Sequence, residues 1–393
     1  MHKYKYFIAY GQGINIYKNY DYENTKPISE DRHFFWEGYQ KNLFDGVLIS
    51  KEALSKSTCK KIIEMGGVHK YLNLGKHVPI MADNGAFTHI NKPVPQSTPE
   101  EIFNYFIDLK FSSGITLDHI ITDFTIENNN PTEDMIYRQN ITIENARKMF
   151  EMKKKSGSDV ELYAAIQGWD VKSTRHCIEE MAKIGFTHIA IGGIARQSSE
   201  VIKTLFNGIW DVINKNNLKI HALGCTKLDV AQFLAEKNVI SGDSTSYIKY
   251  AVKDYDNGIM CPTEKRYVTP FIPLPRSIKD SEDVMKSMND YQKGLIDLKQ
   301  TASKIKLYLE THLKKPDWLL NKRTFDRFIK ALDEPMWKTC GCPACNKLGV
   351  NIFAARTSQY NAMRGFHNLW NNYKVFVNAQ TSNSHKLKSF LGA

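Results

Sequence analysis

The sequence contains no apolar run that approaches the roughly 18 residues of a membrane span, which argues against an integral membrane protein. Its first residues, MHKYKYFIAYGQGINIY, lack the long apolar stretch and small-residue cleavage site of a signal peptide. It also has no Gly/Ser linker, low-complexity tract or internal repeat. With 42% hydrophobic and 24% charged residues over 393 positions, we expect a globular, soluble and cytoplasmic protein with no membrane partner.

Acidic residues are missing from the end of the chain. Residues 346–393 contain no Asp or Glu, and residues 265–393 carry 22 Lys and Arg against 10 acidic residues. Residues 1–264 carry 31 against 32, so the formal charge of +11 arises from the C-terminal third. This asymmetry favours a polyanionic partner such as nucleic acid. A solvated Lys-rich face is the alternative.

Short apolar runs that end at a glycine or a polar residue alternate with helix-length segments. This pattern predicts parallel strands in βα units. The predicted strands are Tyr6–Tyr10, Val47–Ser50, Val78–Ala82, Ile120–Phe124, Leu162–Ile166, His188–Ile191, Ile220–Leu223 and Val239–Ser241. Helices are predicted at Thr98–Phe111 and Thr142–Lys155. Eight units indicate an α/β fold, a closed (β/α)8 TIM barrel. An open doubly wound sheet is the alternative, because periodicity does not show closure.

The regular pattern stops after Tyr247. Residues 255–280 are rich in proline, and long helical stretches are predicted from about 281 to 314 and over 352–373. We expect the barrel to carry an inserted C-terminal zinc-binding subdomain. The expected domains are the barrel over 1–254, a basic zinc-binding subdomain over 255–350, and a closing helix with the C-terminal tail over 351–393.

Cysteines are few, and three of the seven lie within six residues. Cys340, Cys342 and Cys345 are followed by His367, and together they would complete a tetrahedral zinc shell. Because all four positions are filled by protein, we predict one structural Zn²⁺ per chain. A disulfide is disfavoured in a reducing cytosol, and buried free thiols are the alternative. The other cysteines are read as core residues: Cys59, Cys177, Cys225 and Cys261.

Polar residues follow several of the predicted strands. They are Asp83, Asp123, Gln167 with Gly168, Gly192 with Gly193, and Asp243. The C-terminal strand ends of a barrel form the active-site face. A single Asp there is more often a helix N-cap, but three at different strand ends favour a site. Two carboxylates suit chemistry at an anomeric carbon, one as nucleophile and one as acid/base; this is one option among several.

Several motifs resemble those of tRNA-guanine transglycosylases. Asp83-Asn-Gly-Ala-Phe87 is similar to their Asp-Ser-Gly-Gly-Phe, and Ala165-Ile-Gln-Gly168 to their Val-Gln-Gly. Ile191-Gly-Gly-Ile-Ala195 resembles Ile-Gly-Gly-Leu-Ala, and Asp243-Ser-Thr-Ser-Tyr247 resembles the archaeal Asp-Ser-Ala-Ser-Tyr. The segment from Cys340 to His367 resembles the family's zinc motif. The motifs keep the family order over about residues 75–375.

The resemblance implies a pentosyltransferase of the queuosine- and archaeosine-related group, which exchanges guanine for a 7-deazaguanine by double displacement. Asp243 would be the nucleophile of a covalent Asp–nucleic acid intermediate, and Asp83 the general acid/base. The base would contact Asp123, Gln167, Gly192, Gly193, Phe87 and Asn84. Asn84 replaces the family's Ser, and core packing is the alternative explanation of Phe87. We read His89, His119 and His221 as structural or surface residues.

The resemblance leaves the polymer to be chosen. Archaeal tRNA enzymes carry further RNA-binding domains, whereas this sequence continues for only about 25 residues beyond His367. We therefore expect a DNA-guanine transglycosylase of a 7-deazaguanine DNA-modification system, with accessory modification proteins, in a bacterial cytoplasm or that of a phage host. A tRNA-guanine transglycosylase acting on tRNA is the alternative. A non-catalytic zinc-stabilised nucleic-acid-binding subunit is the third hypothesis.

Overall fold

The chain divides into two compact units in a computed structural model that describes residues 4–11, 13–37, 43–195, 197–261, 267–312 and 322–380. The first unit contains the described parts of Met1–Gly11, Phe44–Ser244 and Phe376–Thr381. The second contains the described parts of Gln12–Leu43 and Thr245–Val375. The observed division after Ser244 differs from the predicted domain boundaries at 254 and 350.

The first unit is a closed barrel of eight parallel strands. The strands are β1 (Lys5–Ala9), β2 (Gly46–Ser50), β3 (Ile80–Asp83), β4 (Ser113–Ile115), β5 (Glu161–Ile166), β6 (His188–Ile191), β7 (Lys219–Ala222) and β8 (Val239–Ser244). Each strand pairs with the next along the chain, and β8 pairs with β1. Closure confirms the (β/α)8 barrel and excludes the open doubly wound sheet.

Seven of the eight predicted strands are confirmed, and the fourth is wrong. The prediction placed it at Ile120–Phe124, whereas β4 is Ser113–Ile115, between β3 and β5. The backbone N–H of Ile121 instead donates to the Gln167 side chain at 3.0 Å. Gly114 weakens the strand signal in β4, and the structure needs it, because a Cβ there would lie 2.3 Å from a ring carbon of Phe106.

Helices follow the barrel strands as the βα pattern predicts. They are Lys56–Glu64, Val68–Tyr71, Pro99–Asp108, Glu133–Ser156, Val171–Ile184, Ser199–Lys215 and Leu228–Glu236, with 3-10 turns at Lys51–Ala53 and Ala86–His89. The helix Pro99–Asp108 begins at a capping box, in which Thr98 accepts from the N–H of Glu101 and the Glu101 carboxylate accepts from the N–H of Thr98.

The barrel interior is filled by side chains. Its buried cluster comprises Phe7, Leu48, Met81, Ile115, Tyr163, Ala165 and Ala190. Each large apolar side chain buried there contributes roughly 1.5–3 kcal/mol to folding. The interior is therefore a packed core and not an open channel.

The second unit is mainly helical. Its helices are Ser246–Lys253, Asp280–Gln292, Leu298–His312, Lys322–Asp333, Met336–Thr339, Pro343–Leu348 and Ser358–Ala379, the last of which ends in the first unit, with a 3-10 helix at Gly349–Phe353. Its short strands are Asn15–Tyr17, Tyr20–Asp21, Lys26–Pro27, Arg32–Phe34, Ile259–Cys261, Tyr267–Thr269, Ile272–Pro273 and Ala354–Ala355.

The predicted helical stretch over 281–314 is two helices. The chain turns at Gly294, whose φ of 75° lies in the left-handed region that favours glycine. Residues 313 and 314 lie outside the described residues. In the described part of the chain, no helix is both long and apolar enough to cross a membrane.

Candidate active site and metal centre

The barrel brings most of the predicted polar residues to one end. Asp83 is the last residue of β3, Gln167 follows β5, Gly192 follows β6, and Asp243 lies near the end of β8. All four strands are parallel, so these residues occupy the C-terminal mouth of the barrel.

Asp83 is adapted to hold a proton. Burial raises the pKa of its carboxyl above the usual value, and the charge of Asp243 raises it further. Hydrogen bonds from the Ser50 side chain and the Gly85 N–H lower the pKa and partly offset this effect. A carboxyl with a raised pKa is suited to donate a proton to a leaving group.

Asp243 is buried, with one carboxylate oxygen held by donors. Its Oδ1 accepts from the backbone N–H of Gly224 at 2.7 Å. The same oxygen lies 3.4 Å from Nε2 of His221 on β7. His221 is fully buried, and its Nδ1 lies 2.8 Å from the Ser241 hydroxyl. His221, which the sequence indicated as a structural or surface residue, is therefore a buried residue that lies beside Asp243.

A buried polar network contains a carboxylate that the sequence prediction missed. Asp118 accepts from the Asn84 amide at 3.0 Å and from the Gln167 amide at 2.5 Å. The Asn84 amide also donates to the carbonyl of Thr116 at 2.7 Å. Burial, followed by the nearby Asp83 charge, raises the pKa of Asp118 to about 6, although the two amides favour its ionised form.

Asp123 does not lie at a strand end. The prediction placed it there because it took Ile120–Phe124 as the fourth strand, whereas β4 ends at Ile115. Asp123 is exposed, whereas Asp118 is 6% exposed and contacts two of the predicted base-binding side chains, Asn84 and Gln167. One signal could have identified Asp118: it follows the apolar Ile115-Thr-Leu as Asp83 follows Ile-Met-Ala. This signal was missed because β4 has only three residues and gives no clear strand pattern before Asp118.

Phe87 and Gly193, two of the residues predicted to contact the base, are both exposed. Phe87 is 65% exposed, so the alternative explanation by core packing is wrong. Gly193 has a φ of 75°, and among the described residues, its two chain neighbours aside, no atom lies within 4 Å of where its Cβ would be. An exposed aromatic ring and an open stretch of backbone can both contact a planar ligand.

The second unit holds a group of metal-ligating atoms. The sulfurs of Cys340, Cys342 and Cys345 and a ring nitrogen of His367 lie within 4.8 Å of one another, and all four residues are buried. The three sulfurs lie 3.5, 3.3 and 3.3 Å from Nδ1 of His367. These separations suit a tetrahedral ion with bonds of about 2.0–2.3 Å.

Outer contacts orient the ligands of this group. Nε2 of His367 lies 2.7 Å from the Met260 carbonyl, to which it donates, and this leaves Nδ1 free to bind metal. The Asn371 amide donates to the sulfur of Cys340 at 3.3 Å. The residues present therefore fit a closed Cys3His metal centre.

Comparison with known proteins finds a relative that aligns with nearly the whole chain. No protein-family model matches the chain. The chain is 25% identical to a DNA-guanine transglycosylase of Salmonella montevideo over 406 aligned positions, which cover 94% of this chain and 95% of the relative. The similarity therefore extends across both units.

Proposed function

We propose that this chain is a guanine transglycosylase that exchanges guanine in DNA for a 7-deazaguanine base such as 7-cyano-7-deazaguanine. The observation that carries the proposal is the pair of carboxyls, Asp83 and Asp243, at one barrel mouth. They are close enough for the charge of Asp243 to raise the pKa of Asp83. One carboxyl can therefore stay protonated while the other attacks.

In the first displacement, a carboxylate oxygen of Asp243 forms a bond to C1′ as the bond from C1′ to N9 of guanine breaks. The electron pair passes to the departing base, which takes up the proton of Asp83. The product is a covalent ester between Asp243 and the sugar.

In the second displacement, the incoming deazaguanine gives its N9 proton to Asp83. Its N9 then forms a bond to C1′ as the ester bond to Asp243 breaks, and the carboxylate is regenerated. Two inversions at C1′ retain the original configuration.

We assign the base-reading role to Asp118 with Gln167, in place of Asp123. Asp118 is buried and, when ionised, offers only acceptor atoms to the N–H groups on the guanine edge. Asn84 holds Asp118 in place and accepts from the N–H of Ala86 at 2.8 Å. The exposed ring of Phe87 would stack on the base, beside the backbone of Gly192 and Gly193.

We assign Zn²⁺ to the Cys3His centre, as one structural ion per chain. Its four ligands come from the protein, which leaves no open position for substrate. When bound, the ion would cross-link the short helix Pro343–Leu348 to the helix Ser358–Ala379 and thereby stabilise the second unit.

DNA is the proposed polymer because the relative is named a DNA-guanine transglycosylase and because the C-terminal third is basic. Lys and Arg there would contact phosphates, which position the polymer without reading its sequence. The target guanine must leave the stack, at a cost of a few kcal/mol in a duplex. Accessory proteins that open duplex DNA would lower this cost. Acceptance of tRNA is the alternative.

The test offers labelled 7-cyano-7-deazaguanine with duplex DNA, single-stranded DNA and tRNA in parallel. We expect incorporation into DNA, no exchange by Asp243→Ala, and a folded Asp243→Asn that binds DNA without a covalent adduct. Incorporation into tRNA alone would overturn the choice of DNA. Tight binding with no exchange in any arm would favour a non-catalytic subunit, and wild-type exchange by Asp243→Ala would exclude Asp243 as nucleophile.

A further inference from the structure

The two oxygens of the Asp243 carboxylate differ in their surroundings. Oδ1 accepts from the Gly224 N–H at 2.7 Å and lies 3.4 Å from Nε2 of His221. Among the described residues, no hydrogen bond reaches Oδ2. The fold therefore divides the carboxylate into a held oxygen and an open one.

The contacts of His221 define which ring nitrogen carries the proton. An ionised carboxylate is an acceptor only, so Nε2 must carry the hydrogen that faces Asp243. In the neutral ring Nδ1 is then an acceptor, and the Ser241 hydroxyl, 2.8 Å away, can donate to it. The result is a short chain of hydrogen bonds from Ser241 through His221 to Asp243.

The ring has little freedom to turn away from this arrangement. His221 is fully buried, with its ring centroid 5.4 Å from that of Phe7 and 6.4 Å from that of Tyr163. Strand register supports the same geometry, because His221 pairs with Ser241 across β7 and β8, two residues before Asp243. The positions of all three side chains follow from two adjacent strands.

We propose that His221, oriented by Ser241, is a positioning residue that holds Oδ1 of Asp243 and thereby selects Oδ2 as the attacking oxygen. This inference rests on the proposed transglycosylase function. In the first displacement the bond from Oδ2 to C1′ forms as the bond from C1′ to N9 breaks, and Oδ1 becomes the carbonyl oxygen of the ester.

The same contacts assist the second displacement. As the bond from Oδ2 to C1′ breaks, its electron pair returns to the carboxylate and is shared with Oδ1. The N–H groups of His221 and Gly224 already point at that oxygen, so they stabilise the charge without rearrangement. Both covalent steps should therefore depend on His221, whereas binding of the free base should not.

The experiment compares His221→Leu, His221→Gln and Ser241→Ala with the wild type in labelled-base exchange. Loss of a hydrogen bond to a charged group predicts a decrease in kcat of about ten- to a hundredfold for His221→Leu, with an unchanged KM for the base. The glutamine amide can place an N–H near the position of Nε2, so His221→Gln should recover part of that loss. Ser241→Ala should lower kcat by less than His221→Leu.

His188 supplies the matched control. It lies on the adjacent strand β6 and is also close to a carboxylate, with its Nδ1 3.5 Å from Glu161 at the opposite end of the barrel. His188→Gln should exchange at the wild-type rate. Activity of His221→Gln and Ser241→Ala within twofold of the wild type would overturn the proposal, even if His221→Leu failed to fold.

A readout independent of activity separates this proposal from the proposed function. Nitrogen-15 spectra of the wild-type imidazoles should show His221 with a protonated Nε2 and an unprotonated Nδ1, and Ser241→Ala should shift the Nδ1 signal. The opposite tautomer would overturn the role of His221, whatever the activity. The expected tautomer in a protein that exchanges no base would support the His221 contact and overturn the proposed function.

Discussion

At the scale of single residues, buried carboxyls dominate the electrostatics of the barrel mouth. The pKa values of Asp83 and Asp118 are both raised, in each case mainly by burial. Such groups oppose folding when they ionise, because charge is taken out of water. Asp83 and Asp118 therefore lower the free energy of unfolding when they are ionised.

Asp118→Asn should change how stability depends on pH. The pKa of Asp118 is about 6 in the folded protein, against roughly 3.9 when unfolded. Its contribution to stability is therefore complete below about pH 4 and is lost as pH rises through about 6. The free energy of unfolding of the wild type should fall by up to about 3 kcal/mol more than that of Asp118→Asn between pH 4 and 7.

Urea denaturation at intervals across this pH range measures the effect. Asp108 is exposed, so Asp108→Asn should follow the wild-type curve. Parallel curves for the wild type and Asp118→Asn would show that Asp118 does not have the raised pKa.

The choice between Asp118 and Asp123 can be tested by kinetics. Asp118→Asn should raise the KM for the free base by about ten- to a hundredfold, since it removes a charged acceptor from the base edge. Asp123→Asn should leave the KM unchanged, because Asp123 is exposed. The reverse result would restore the assignment made from the sequence.

Site residues could be predicted only where a clear strand pattern precedes them. Asp83, Gln167 and Asp243 follow or end strong apolar runs, and the structure places them at one mouth. His221 lies inside such a run, where a lone histidine resembles a core residue. Only the pairing of β7 with β8 brings it to Asp243, and register across strands cannot be read from one strand.

At the scale of elements, β-branched runs made seven strands predictable, whereas β4 has three residues with a glycine at its centre. The predicted zinc ligands come together in the structure, although His367 lies far along the chain from the cysteines. They could be predicted because close cysteine spacing is a strong signal in the sequence. A strand of three residues provides too few positions for a periodic pattern.

Removal of the metal should destabilise the second unit. Metal analysis should find one zinc per chain, and Cys342→Ser or a strong chelator should lower the melting temperature, since the binding energy of a structural metal is folding energy. Cys177 is equally buried but lies in the barrel, so Cys177→Ser should keep the metal. A folded wild-type protein without metal would contradict the assignment.

At the scale of the whole molecule, the basic residues differ in their surroundings. Arg327 forms an ion pair with Asp256 and donates to the Asn257 side chain at 3.1 Å, so its charge is used within the second unit. Lys322 is exposed at the start of its helix. Lys314 and Lys315 lie outside the described residues.

Charge reversal tests whether the basic third binds the polymer. Changing Lys314, Lys315, Lys322 and Arg323 to Glu should weaken DNA binding and reduce the salt slope by about 0.9 for each phosphate that the protein no longer neutralises. Exchange at saturating DNA should be largely spared. The same change at four exposed lysines on barrel helices, Lys148, Lys154, Lys155 and Lys183, keeps the net charge equal and should leave the slope unchanged. If DNA binding by the two variants had the same salt dependence, the basic C-terminal third would not be the DNA-binding surface.

The closure of the barrel has a consequence for synthesis. Phe7 of β1 pairs with Asp243 of β8, so the first strand to leave the ribosome completes its pairing with the last barrel strand. A nascent chain that has emerged only through β6 already contains Asp83, Asp118 and Gln167 but not Asp243, the proposed nucleophile. On the proposed mechanism such a chain lacks its nucleophile, so exchange would begin only after β8 has closed the barrel.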